Sequence, residues 1–173
     1  MADVPLDQVK GSILEVLGEL CAGPSDPGGT WIVDNRPDAG ILGTLDTLTA
    51  AEASRVPPWG RATAAAHAHH VRFALEVSAR WVSGERPKSD WARSWSVSTV
   101  DEDGWTELRA GVRTAYETLV RAVETMDAPD EVALTSAVAS AAHAAYHLGA
   151  LRQLALAARA VPSGAAEATL DLP

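Results

Sequence analysis

Histidine is the residue type in this chain best suited to coordination chemistry, and its spacing is not random. His143 and His147 stand four residues apart in the run AHAAYHL, so a helix there puts both imidazoles on one face, within reach of a single ion. His70 falls on a stripe with Ala66, Phe73, Val77 and Trp81, which predicts that it points the same way as apolar core residues. His67 lies one turn earlier on a neighbouring line. His69 is rotated about 100 degrees from His70 on a helix and is expected to meet solvent. Burying three imidazoles without partners costs stability, whereas three around a cation satisfy one another. The spacing leaves two alternatives open: a metal site of His70, His143 and His147, or three separately hydrogen-bonded histidines. Three nitrogen ligands would leave a coordination position open and would suit zinc, nickel or ferrous iron.

A ligating imidazole passes its second ring nitrogen to an acceptor, for which Glu76, Glu117 or a backbone carbonyl is expected. Trp91 and Trp95 would roof a pocket or anchor the chain by burying large rings. Tyr146 would donate to a substrate oxyanion or, buried, to a carbonyl. Arg72 and Arg152 would clamp an anion or lie on the surface with packed stems. Cys21 is the only cysteine, so no intrachain disulfide and no thiolate cluster can form, and a small core residue is expected there. The glycine-rich run 23–29 has neither the preceding strand nor the following Lys-Ser/Thr of a phosphate loop, and no G-x-S-x-G elbow occurs.

Apolar periodicity supplies the elements that must hold these groups. Leu6, Val9, Ile13, Val16, Leu17 and Leu20 predict a first helix over about 5–22, stopped by Gly23 and Pro24. Residues 23–37 read as loop, 39–48 as a short helix or turn, and Thr49 with Glu52 as a capping box before Pro57 and Pro58. A second long helix is predicted over 60–82, closed by Gly84. Residues 84–100 form a long crossover rather than a tight hairpin. A third helix, capped at or just before Asp101, carries Trp105, Leu108, Val112, Ala115, Leu119, Ala122 and Met126 at bundle spacing. The last, from near Asp130 to about Ala158, is apolar almost all round and is expected to be the most buried. The chain thus reads as all-α, a four-helix bundle with one long crossover, in a single domain over 1–160. Residues 161–173 read as a loosely held tail.

Composition narrows the function classes. A length of 173 residues with 47% hydrophobic and 21% charged content is that of a folded globular chain. Fourteen basic against twenty-three acidic residues give a net charge of -9, which opposes nucleic-acid and anionic-membrane partners. Val132 to Leu151 carries no formal charge, yet its Ala, Ser, Thr and His content is too weakly apolar for a membrane span. The N-terminal dozen residues lack a secretory pattern, so a cytoplasmic setting is expected.

The stretches 65–84 (AAHAHHVRFALEVSARWVSG), 90–95 (DWARSW) and 142–153 (AHAAYHLGALRQ) together resemble the DinB/YfiT-like superfamily of metal-dependent enzymes, in order over roughly 40–155. The resemblance implies a four-helix bundle with one long crossover and a three-histidine site for one divalent metal ion. His143 and His147 would form the pair from the last helix. His70 would be the ligand from the second, with His67 as its competitor. It further implies a transferase that activates a low-molecular-weight thiol of the bacillithiol or mycothiol kind against a small-molecule substrate. A metal-dependent hydrolase and a non-enzymatic metal-binding stress-response bundle are the alternatives. Pairing into a homodimer is expected on the same resemblance and on the six tryptophans, more than one small core needs to bury.

Overall fold

The computed structural model describes residues 3–26, 28–60 and 62–160. It is all-helical: α1 (Leu6–Ala22), α2 (Ile41–Asp46), α3 (Ala50–Ala53), α4 (Ala64–Val82), α5 (Glu102–Glu124) and α6 (Glu131–Ala160), with a 3-10 turn at Arg93–Trp95. No strand occurs among the described residues. No helix among them is long and apolar enough to cross a membrane. The tail expected at 161–173 lies outside the described residues.

Local chemistry sets the helix ends. Thr49 and Glu52 form the expected reciprocal capping box on α3, and Asp101 caps α5 by accepting from the Gly104 N–H. The second long helix begins at Ala64, later than the expected Gly60, because Thr63 is its cap. The Thr63 hydroxyl accepts from the Ala66 N–H and donates to the Ser98 carbonyl at 2.7 Å, tying the start of α4 to the far end of the crossover. Gly23 ends α1 with φ of 100°, and a Cβ there would lie 2.3 Å from the Pro37 carbonyl oxygen.

α4 packs against both α5 and α6, and α1 packs against the same two helices. α2 and α3 fill the space between them, so the core runs continuously from Leu17 and Leu20 through Ile41 and Leu45 to Trp105, Leu119 and Leu151. The Trp105 indole N–H donates to the Leu48 carbonyl at 2.8 Å, which satisfies the one polar atom this large ring brings into the core. The crossover at 84–100 is present and its 3-10 turn lies on α4. It is not the only long connection, since 23–63, carrying α2 and α3, is longer.

Two expectations about burial are corrected. α4, not α6, is the more buried helix: eleven of its 19 residues are buried, against eleven of 30 in α6, whose Val132, Val138, Tyr146 and Leu156 face outward. The core face of α4 is Ala64, Ala68, Val71, Leu75, Ala79 and Val82. Of the stripe Ala66, His70, Phe73, Val77 and Trp81, the first, second and fourth are buried as expected, yet none joins the main apolar cluster, and His70, Val77 and Trp81 wall a cavity toward α6.

Candidate metal centre

α4 and α6 bring His70, His143 and His147 together, with one ligand atom from each inside a 4.8 Å span. His143 Nε2 lies 3.1 Å from His70 Nε2 and 3.1 Å from His147 Nε2. Ligand nitrogens around a cation at about 2.0–2.1 Å would stand about 2.8–3.0 Å apart in cis-octahedral and about 3.3–3.4 Å in tetrahedral arrangement, so these separations are compatible with a metal site. The i, i+4 spacing of the α6 pair accounts for one contact. The other depends on α4 packing alongside α6.

Hydrogen bonds around the cluster decide which nitrogens carry protons. The Ser94 hydroxyl donates its only proton to the Trp91 carbonyl at 2.6 Å, so toward His70 it can only accept. His70 Nδ1, 2.6 Å from that oxygen, is therefore the protonated nitrogen, and Nε2 presents its lone pair to the cluster. On the other side His147 Nδ1 meets His67 Nδ1 at 2.9 Å. With His147 Nε2 offering a lone pair inward, its Nδ1–H donates to His67. Ser94 and His67 thus take the place that Glu76 and Glu117 were expected to fill. Glu76 is instead paired with Arg72 at 2.8 Å, and Glu117 is exposed on α5.

Burial keeps the cluster neutral. It lowers the His67 and His143 pKa values from 6.5. Desolvation first, then repulsion from a charged His143, His67 or His69, takes His70 down to about 4. Desolvation, then His143, His67 and His70, takes His147 to about 3. At neutral pH all four rings are uncharged imidazoles, the form that ligates metals.

The crossover closes one side. Trp95 stacks on His70 with centroids 4.1 Å apart and planes 17° apart, and meets His67 edge-on at 5.4 Å. Trp91 stands 6.0 Å from His70 and lines the cavity. His69, expected in solvent, is half-buried, and its Nδ1 bonds the Ser94 carbonyl at 2.7 Å. Adjacent histidines on α4 therefore grip both the backbone and the side chain of Ser94. Nothing in the residue type of Ser94 marks it in the sequence; its place between Trp91 and Trp95 was the available signal.

Other expected site residues lie elsewhere. Tyr146 is 71% exposed, its ring edge-on to His147 at 5.0 Å, so it is neither buried nor in the cavity. Arg152 donates to the Ala39 carbonyl at 2.5 Å and lies 3.6 Å from Asp34, holding the connection after α1 against α6. Cys21 is buried, and desolvation pushes its thiol up to about 12, the state of an inert core residue. From His70 and His143 a cavity of about 690 Å³ runs between α4 and α6. Compared with family models, with curated proteins and with solved structures, the chain matches none.

Proposed function

We propose that the chain is a metal-dependent enzyme on a four-helix bundle of the DinB/YfiT-like type, with His70, His143 and His147 holding one divalent cation. The observation that carries this reading is the inward lone pair of His70, fixed by Ser94, meeting two further Nε2 atoms at the edge of a cavity. Four long helices, a crossover lying on α4, and one histidine from α4 beside a pair from α6 support the same bundle type. A zinc, nickel or ferrous ion there would supply Lewis acidity, lowering the pKa of a thiol or water beside it.

The chain's own residues do the rest. Ser94 and His67 orient the ligands, Trp95 shields one face of His70, and the cavity places a second reactant against the open side. The preferred reaction is transfer of a low-molecular-weight thiol: the thiol loses its proton, sulfur bonds to an electrophilic carbon of the substrate, and a leaving group departs or a double bond takes up the proton. With water as the nucleophile the same site would be a hydrolase. The cavity adjoining the histidines favours either over a purely structural ion, which needs no space for a reactant. Association into a homodimer belongs to the same proposal, and a monomer in sedimentation at micromolar concentration would count against it.

Elemental analysis of protein purified without a metal-affinity tag tests the reading directly. About one divalent ion per chain is expected, lost in His70→Ala, His143→Ala and His147→Ala but only weakened in His67→Ala. Metal that survives all of the first three substitutions would refute the site. Loss in His67→Ala with retention in His70→Ala would move the α4 ligand by one turn. Conjugation assays with thiols, against hydrolysis controls, then separate transferase from hydrolase.

A further inference from the structure

We infer that the substrate body accepted by the cavity beside the histidines is apolar, aromatic in size, and uncharged or cationic, and that anionic bodies are refused. This rests on the metal-dependent reading above, since the reacting group would sit at the histidine end. The cavity, at about 690 Å³, is within the range of about 300–1,000 Å³ typical of small-molecule sites. Its walls are Val77, Trp81 and Trp91 on one side and Val132 with Ser140 on the other. The Ser140 hydroxyl donates its proton to the Ser136 carbonyl at 2.7 Å, so toward a ligand it offers only acceptor capacity.

Charge decides the rest. No Arg or Lys lines the cavity among the described residues, and apart from the two neutral histidines its only ionisable group is Glu131. Arg72 is engaged with Glu76 at 2.8 Å, Arg80 with Glu85 at 2.7 Å and Arg86 with Asp130 at 2.5 Å, while Lys88 and Arg93 of the crossover line a different pocket. A carboxylate, sulfonate or phosphate on the ligand body would enter without a counter-ion, against Glu131 and a net charge of -9. An uncharged ring loses nothing on entry, and a cation gains from the indole faces and from Glu131.

Two dyes with the same ring system test this: neutral N-phenyl-naphthylamine and its sulfonated form, anilinonaphthalene sulfonate. Each is titrated by fluorescence into the full chain, metal-free and zinc-loaded. In the metal-free chain the neutral dye is expected to bind at least about tenfold more tightly, the difference reflecting an uncompensated buried charge, and bound zinc should narrow that margin. Ala139→Trp, at an exposed position of the cavity wall where the core is undisturbed, should weaken the neutral dye by about tenfold or more by filling the space. Thr135→Arg, also exposed on that wall, should narrow or reverse the preference. Equal or tighter sulfonate binding to the metal-free parent overturns the inference, as does a neutral dye that does not bind or that ignores Ala139→Trp. Failure of the metal reading shows separately, as an absence of bound ion in the elemental analysis, because the dye preference is also measured without metal.

Discussion

Replacing Ser94 by Ala isolates the step on which the metal reading turns. Ser94 is fully buried, at 0% exposure, and its hydroxyl links the Trp91 carbonyl and His70 Nδ1, each at 2.6 Å. The substitution removes both bonds and leaves a buried imidazole N–H without an acceptor. At about 1 kcal/mol net per lost bond, and about 1–3 kcal/mol where a buried donor is stranded, the metal-free protein should lose about 2–3 kcal/mol. Freed from Ser94, His70 can also place its proton on Nε2, where it opposes a cation. Loss of such an orienting partner should reduce metal affinity by about 10- to 100-fold, or about 1.4–2.8 kcal/mol.

Urea denaturation of the metal-free protein gives the first quantity, and zinc titration against a competing chromogenic chelator gives the second. His69→Ala is the control, because it releases the same 3-10 turn by losing the bond to the Ser94 carbonyl at 2.7 Å while leaving the hydroxyl on His70. It should cost about 1 kcal/mol in stability and leave zinc affinity nearly unchanged. If Ser94→Ala destabilises the fold but binds zinc like the parent, Ser94 only pins the crossover. If the two variants weaken zinc equally, the loosened turn is the cause and the tautomer argument fails.

Three further outcomes are expected. Glu19, 5% exposed, accepts the Trp31, Ile32 and Val33 N–H groups; burial alone would raise its pKa, but these three bonds bring it below the ordinary 4.5. The native value being the lower one, its contribution is complete above pH 4.5 and is lost as pH falls through the native value. Glu19→Gln should therefore cost about 1–3 kcal/mol at neutral pH and flatten the acid side of the stability profile, and urea midpoints that fall equally steeply in the variant would contradict this. Gly43→Ala should destabilise by several kcal/mol or abolish folding, because its Cβ would lie 2.3 Å from the Asp38 carbonyl oxygen; a thermal melt like the parent's would show that α2 does not pack as described. In the metal-free protein the native His70 and His147 values, about 4 and about 3, lie below the ordinary 6.5. Their contribution to stability is whole above 6.5 and declines as pH drops to the native values, and bound zinc should persist below 6.5 and leave as pH falls toward those values, where the folded site's imidazoles take up protons. Zinc released by chelator competition already near pH 6.5 would show the ligands titrating like free imidazoles and would contradict this.

How much of this was legible in the sequence differs by element. The α6 pair was, because helical geometry alone brings i and i+4 together, and so were the Thr49 and Asp101 caps, whose partners are local. The face of α4 was misassigned for a physical reason. Ala64, Ala68, Val71 and Leu75 form one apolar line, in the core cluster, and His70, Val77 and Trp81 another, which walls a cavity that Leu75 also reaches. Periodicity counts apolar residues and does not distinguish a wall with side chains behind it from a wall with space. α6 shows the converse error: with no charge over 132–151, the sequence gives no sign that Val138 and Tyr146 point outward. Ser94 and Arg152 owe their roles to partners 24 and 113 residues away, and long-range pairings of that kind leave no local spacing to read.

The proton inventory supports the proposal that the cluster holds a cation rather than forming a purely hydrogen-bonded core. His143 Nε2 has either one proton or one lone pair to offer, and it faces two nitrogens at 3.1 Å. His70 Nε2 is unprotonated because Ser94 claims the Nδ1 proton. If His143 Nε2 carries a proton, it can point at His70 or at His147, and the other contact is left weak or shared. If it does not, a proton on His147 can serve that contact, but two lone pairs then confront each other across the His70 contact. A divalent ion held by His70, His143 and His147 would use one lone pair from each Nε2, any proton on His143 or His147 Nε2 moving to the Nδ1 of the same ring. The crossover turn, by fixing His70 through Ser94 and stacking Trp95 on its face, holds this otherwise under-satisfied arrangement in place. On the proposed reading the structure spends stability to keep three Nε2 atoms converged, and the binding free energy of an ion would return it.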